Sequence, residues 1–502
     1  MNDGANGGGV TISQWTPPAR PQPRPNLDEP AWAVRAPATR TMLWSILVVG
    51  VLIDVVFHTG FATLSAFTTF CVATVLLLRS GRLEHRAAKA LALGSVGFSI
   101  WLVLRTSGWL IALDIGAAAG LLIAAASFAR SRAPWTTSIP EFVRRSFVVI
   151  AHGFGSVAFV LSGVKAQPRG RIGPIVRGVV LALPLLFILG ALLASADAVF
   201  ASFFDVSFDM GATIGHLFGI AIGCAAMATL LRVASAAHEP RPVAGHRALR
   251  RVEMIVILGL LDLLFGLWAL AQLLAMSSAG DHVLKTQGLT YAQYARTGFF
   301  QLLAVAGITI SIVMSVRAAL RDDDPESQRW FVRLVLVLLG LTLAIVAVSI
   351  QRLSLYEHEF GWTSLRLVVH ISAYGIGALV VLLALSCTAR FGARNWFPSA
   401  GVVVVCLTLL LVNVMNPDDF VTRHNVGRAP TSARALDGLY LAQLSDDAIP
   451  AAVQGLDSLS ESERDGLVGL LCQRRDSDSD WLHWNLSARN ADAAIRSLQC
   501  ST

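Results

Sequence analysis

From residue 41 to residue 415 the chain alternates long apolar runs with short polar breaks. A helix needs roughly 20 mostly apolar residues to cross the hydrocarbon core, and about eleven runs reach that length. The pattern predicts spans over 41–59, 61–78, 90–104, 109–128, 178–196, 212–231, 252–274, 298–316, 331–351, 367–387 and 398–415. The fold class is therefore all-α, a polytopic transmembrane helical bundle.

The polar breaks give the threading. Arg79, Arg82, Arg86 and Lys89 follow the second span, Arg130 and Arg132 the fourth, and Arg232 to Arg251 the sixth. Arg317 to Arg333 follows the eighth and Arg390 with Arg394 the tenth. With the N-terminus inside, all of these loops fall on the cytoplasmic side, as the positive-inside rule asks. One apolar stretch, Phe147–Val164, has basic residues at both ends (Arg144 and Arg145 before it, Lys165 and Arg169 after it). It reads as an amphipathic or re-entrant segment on the cytoplasmic side.

Five parts follow. Residues 1–40, rich in Pro and Arg, read as a disordered cytoplasmic tail without the apolar run of a cleavable signal peptide. Residues 41–132 hold four spans, 133–177 the amphipathic segment, 178–415 seven spans, and 416–502 a small helical domain outside the cytoplasmic membrane. In that last domain Ser460 and Glu463 have capping-box spacing, Ser445 reads as the cap of a shorter helix, and Trp481, Trp484 and Ala488 suggest the buried face of a last helix. Cys472 and Cys500 are its only cysteines. A disulfide between them suits an oxidising exterior; two unpaired thiols are the alternative.

Composition agrees with a membrane protein. Hydrophobic residues make up 54% and charged residues 15%, against about 25% charge in soluble chains; mean hydropathy is +0.61. The net charge of +7 is spread over inter-span loops, so it implies no nucleic-acid partner. The partners expected are the lipid bilayer, an anionic lipid or envelope polymer, and a partner protein. No phosphate-binding loop, dinucleotide fingerprint, HExxH or CxxC pair is visible, so no cofactor and no metal are expected.

Several local patterns recur together. They are Ala194 to Phe200 (ASADAVF); Leu289 to Arg296 (LTYAQYAR) followed by Gly298 to Gln301; Arg352 to Glu357 with Gly361, Thr363 and Arg366; Asn416-Pro417-Asp418 with Arg423, Asn425 and Arg428; and Asp437 to Pro450. The chain resembles, over most of 175–502, the bacterial membrane family listed as domain of unknown function 4173. That resemblance implies a multi-pass membrane protein and brings no activity with it.

Two groups of residues could carry chemistry. At the outer ends of spans stand Arg296, Arg352, Arg366 and Arg423, with Tyr294 and Glu357 nearby. Arginine grips phosphate or carboxylate bidentately, so an anion site is one reading; ion pairs with Asp197, Glu357 and Asp418 that hold loops in place are the other. Within the spans, Asp54, Asp114 and Asp262 are costly and often mark proton or ion routes. Asp54 and His58 are four apart on one helical face and could form a relay, or simply bond a neighbouring helix. Gly211, Gly215, Gly219 and Gly223 form a stripe suited to close helix packing, within the bundle or between two copies, and His216 beside it reads as a bond to a neighbouring helix.

The leading expectation is a non-enzymatic envelope or signalling component that binds an anionic ligand or partner at its outer face. A proton- or ion-coupled transporter is the alternative. A membrane glycosyl- or phosphotransferase on lipid-linked substrates comes third.

Overall fold

The computed structural model describes residues 37–60, 63–81, 83–129, 149, 153, 155–165, 182, 186, 189, 193, 210–235, 249–275, 299–320, 325–388, 396–428, 438–474, 481–498 and 500. Among these, regular structure is helical apart from one isolated bridge between Leu249 and Leu320, and ten helices are long and apolar enough to cross a membrane.

The spans are α1 (Arg40–His58), α2 (Thr63–Ser80), α3 (Arg86–Ser99) continuing as α4 (Trp101–Leu104), and α5 (Gly108–Ser127). After the short α6 (Ser156–Lys165) come α7 (Met210–Ser235), α8 (Arg251–Ala275), α9 (Phe299–Ala319), α10 (Pro325–Phe360), α11 (Ser364–Cys387) and α12 (Phe397–Met415). The expected span 178–196 lies almost wholly outside the described residues. Of the expected segment 133–177, the helix α6 is ten residues long, about 15 Å. It sits against the start of α1, where Gly163 meets Ala38, and its Phe159 enters the core.

Two sub-bundles build the membrane part. In the first, α1, α2, α3, α5 and α7 enclose Met42, Ile46, Val49, Leu77, Met227 and Leu231. In the second, α8, α9, α10 and α11 enclose Met254, Leu258, Val335, Leu338 and Leu383, and α12 packs on both α11 and α5. Leu260, Leu263, Leu264 and Leu267 of α8 stand exposed, as lipid-facing side chains do. At 36 residues, α10 is about 54 Å long and outruns a hydrocarbon core of about 30 Å. Arg352, Tyr356 and Glu357 thus ride on a helix that continues beyond the apolar stretch.

A third core lies at one end. Helices α13 (Pro417–Arg428), α14 (Gly438–Gln443), α15 (Ile449–Gln454), α16 (Glu461–Cys472) and α17 (Leu486–Arg496) form the C-terminal part. Their Val421, Ile449, Leu467, Leu471 and Ile495 share a cluster with Leu110 of α5, Leu367 and Ile371 of α11 and Val412 of α12. His483 Nε2 lies 2.8 Å from the Thr59 carbonyl oxygen, just past the end of α1. The C-terminal helices thus cap the end of the bundle opposite Arg40, the first residue of α1.

Some local details differ from the sequence reading. Ser460 and Glu463 do pair at the start of α16, where the Glu463 carboxylate accepts from the Ser460 N–H (3.3 Å) and hydroxyl (2.6 Å). Ser445 precedes the 3₁₀ turn Asp446–Ala448 but makes no capping bond with its side chain. Trp481 is 72% exposed, and the buried face of α17 is Ser487, Ala491 and Ile495. The reason is that Asn485 caps α17 by accepting from the Ser487 and Ala488 N–H groups, so both tryptophans fall before the helix begins. Cys472 and Cys500 are joined as a disulfide.

Candidate functional site

Three polar constellations stand out against this apolar frame. The largest joins the C-terminal domain to the bundle. Asp447, 3% exposed, accepts from Arg105 Nη1 (3.3 Å), the Thr106 N–H (2.9 Å), the Thr106 hydroxyl (3.1 Å) and the Ser487 hydroxyl (2.7 Å). Arg105 and Thr106 lie in the turn between α4 and α5, so one side chain ties the start of a span to α17. Asp418, equally buried, accepts from the Ser364 hydroxyl (2.5 Å) at the start of α11 and from the Ser445 hydroxyl (2.6 Å). The Ser445 hydroxyl also lies 3.1 Å from Asp447. It has one hydrogen to give, which goes to the nearer Asp418.

Around this pair the same logic repeats. Arg105 also donates to the Asn413 carbonyl oxygen through Nη2 (2.7 Å) and Nε (3.2 Å). Asn413 Nδ2 donates to Asp114 Oδ1 (2.8 Å), and Asn485 Nδ2 donates to the Leu102 and Arg105 carbonyl oxygens. Buried polar groups are costly unless paired; here the two carboxylates are closely surrounded by donors. That arrangement holds structure, and it leaves neither carboxylate poised to take a proton from a substrate. Sequence reasoning missed Arg105, Asn413 and Asp447 as a group. Asp447 stands two residues after Ser445, the residue that reads as a helix cap, and its partner Arg105 is separated from it by 342 positions.

The second constellation contains the arginines expected at the outer face. Arg296 and Tyr294 lie outside the described residues. The other three do not converge. Arg352 Nη2 donates to Gln272 Oε1 of α8 (2.9 Å). Arg366 Nη1 donates to the Gly361 carbonyl oxygen (2.6 Å), and its guanidinium lies 4.3 Å from the centre of the Tyr356 ring. Gly361 adopts a φ of +79°, a left-handed turn that favours glycine, and Asn425 braces it through bonds to the Trp362 N–H and carbonyl oxygen. Arg423 bonds Asp419 through Nε (2.8 Å) and Nη2 (3.0 Å), and that hydrogen bond pushes its pKa further above the ordinary arginine value. Glu357 pairs with His370 of α11 at 3.1 Å, a partner the sequence reading did not foresee.

The intramembrane carboxylates occupy separate seams. Asp114 lies between α5 and α12 and is fully buried. Asp262 is on α8, with Oδ1 buried and without a hydrogen-bond partner among the described residues. Asp54 belongs to the third constellation, on the α1–α7 seam. There the glycine stripe packs within the bundle. A Cβ on Gly223 would stand 2.8 Å from the Gly50 Cα and 2.9 Å from the Val49 carbonyl oxygen, and one on Gly219 would stand 3.1 Å from the Asp54 Cα. This contact brings His216 Nδ1 to 2.8 Å from Asp54 Oδ2, while His58 Nδ1 lies 3.0 Å from Asp54 Oδ1.

Among families of known proteins, the one described as Domain of unknown function (DUF4153) matches residues 88–455. That is most of the chain, and the chain belongs to this family. The resemblance to domain of unknown function 4173 is thereby corrected: short patterns at span ends and turns do not suffice to separate one multi-pass family from another. No curated protein and no solved structure matches. The matched stretch contains Arg105, Asn413, Asp418, Asp447 and His216, and it excludes Asp54 and His58.

Proposed function

We infer that this member of the DUF4153 family is a non-enzymatic component of the bacterial envelope. Its bundle anchors it, and its C-terminal helical domain, held outside the cytoplasmic membrane, forms a rigid platform for an anionic envelope ligand or partner. The observation that carries the reading is the Asp447 latch, a buried carboxylate whose donors come from both the bundle and the domain. A domain fixed to the span ends in this way presents its surface at constant height above the headgroups. Basic loops near the Arg40 end of the bundle favour that end as the cytoplasmic one, which supports the reading that the capped end faces outside.

Arg366 is the candidate ligand contact. Its guanidinium is oriented by Gly361 and Tyr356, and preorientation lowers the cost of gripping a phosphate or carboxylate. Native mass spectra of the purified protein test this. Wild type should retain anionic phospholipid, and Arg366→Ala should retain less; equal retention would remove the ligand from the proposal. The transporter alternative draws on Asp262, whose buried Oδ1 lacks a partner among the described residues. It would take precedence if reconstituted vesicles showed an ion flux that Asp262→Asn abolishes.

A further inference from the structure

Asp54 and His58 stand one helical turn apart near the end of α1, and His216 reaches them from α7 because Gly215 and Gly219 let the two helices meet. The two imidazole rings are stacked, with centroids 3.5 Å apart and planes 16° from parallel. One ligand-type atom from each of the three residues lies within 4.8 Å of the others. Asp54 is buried, whereas the His58 and His216 side chains are 32% and 51% exposed. The cluster therefore has a buried carboxylate floor and an accessible mouth. That mouth is at the capped end of the bundle, beside Thr59, where His483 makes its contact.

The hydrogen-bond pattern is incomplete. His58 Nδ1 also lies 3.0 Å from the Asp54 carbonyl oxygen, and a metal bound at that nitrogen takes the place of its hydrogen. Asp54 Oδ1 accepts nothing among the described residues, although it is buried. A buried acceptor without a donor is destabilising, and a cation would remove that cost.

We propose that Asp54, His58 and His216 bind one divalent transition metal ion of the zinc class at the capped end of the α1–α7 seam. Two imidazole nitrogens and one carboxylate oxygen suit zinc and its neighbours, while calcium and magnesium prefer oxygen-only sets. Bonds of 2.0–2.1 Å in a tetrahedral site place donor atoms about 3.3 Å apart. The separations of 2.8 Å (His216 Nδ1 to Asp54 Oδ2) and 3.0 Å (His58 Nδ1 to Asp54 Oδ1) run to the two carboxylate oxygens, so the carboxylate and the stacked rings would turn to converge on one ion, which exposed imidazoles allow. Three protein ligands leave a fourth position open. The site is independent of the platform role, and it closes the seam between α1, outside the family match, and α7, inside it.

The test uses the full-length protein carrying a histidine-free affinity tag, stripped with chelator and titrated with Zn²⁺ alone. Wild type should bind one equivalent that survives desalting, and the His58→Gln, His216→Gln double variant should lose it. Titration of wild type with Co²⁺ should give the visible absorption bands of a tetrahedral site, a readout that does not depend on how the variant folds. A wild type that retains no zinc and shows no such bands overturns the proposal. So does a double variant with undiminished stoichiometry, which would put the metal elsewhere.

Discussion

Asp447 and Arg423 are both charged residues of the C-terminal domain with several hydrogen-bond partners, but burial separates what they do. The Asp447 side chain is 1% exposed and that of its partner Arg105 16%. Replacing Asp447 with Ala strips the latch of its acceptor and leaves a largely buried guanidinium and two hydroxyls short of partners. Breaking such a pair typically costs about 3–5 kcal/mol. The Arg423 side chain is 52% exposed, and water replaces its bonds to Asp419 readily. Arg423→Ala should therefore cost no more than about 1 kcal/mol. Thermal unfolding in one detergent should rank the two variants in that order; equal losses would mean that Asp447 is not the centre of the attachment. None of this ranking was visible in the sequence. Ser445-Asp446-Asp447 has the look of a helix start, and only the fold shows that Asp447 faces Arg105 while Ser445 turns to Asp418.

At the scale of elements, the glycines of α7 and α8 make a matched contrast. Gly223 lies where α1 touches α7, with the Gly50 Cα and the Val49 carbonyl oxygen both under 3 Å from a built Cβ. Backbone atoms cannot step aside as a side chain end can, so Gly223→Leu must force the helices apart, at a cost on the order of 1–3 kcal/mol or more. Gly259 on α8 has nothing within 4 Å of that position, and Leu is the better helix former. Gly259→Leu should leave the unfolding temperature unchanged or raise it. If Gly223→Leu is equally benign, the close approach of α1 and α7 is wrong. The helices themselves were legible because a span announces itself locally, through some twenty apolar residues and a polar break. The stripe was legible as a contact surface. Its partner was not, since helix pairing depends on residues such as Asp54 and His216 that are 162 positions apart.

The whole molecule reads as a membrane bundle with one end closed by its own C-terminal helices. Val412, Leu367 and Leu110 of the spans share an apolar core with Val421, Ile449 and Leu471 of the cap, so cap and bundle form one body. The sequence suggested a separate small domain because residues 416–502 lose the span pattern, but nothing in a linear pattern reveals that the domain is seated on the helices before it. The side of the membrane on which the cap lies is the central claim of the functional account. Cys472 and Cys500 provide the probe, since they are bonded to each other while Cys71, Cys224, Cys387 and Cys406 are free thiols on spans. With those four replaced by Ala, intact spheroplasts would be exposed to a membrane-impermeant thiol reagent before and after mild reduction. The account predicts labelling of Cys472 and Cys500 in intact cells, and only after reduction. Labelling that requires lysis would place the cap in the cytoplasm and contradict the account.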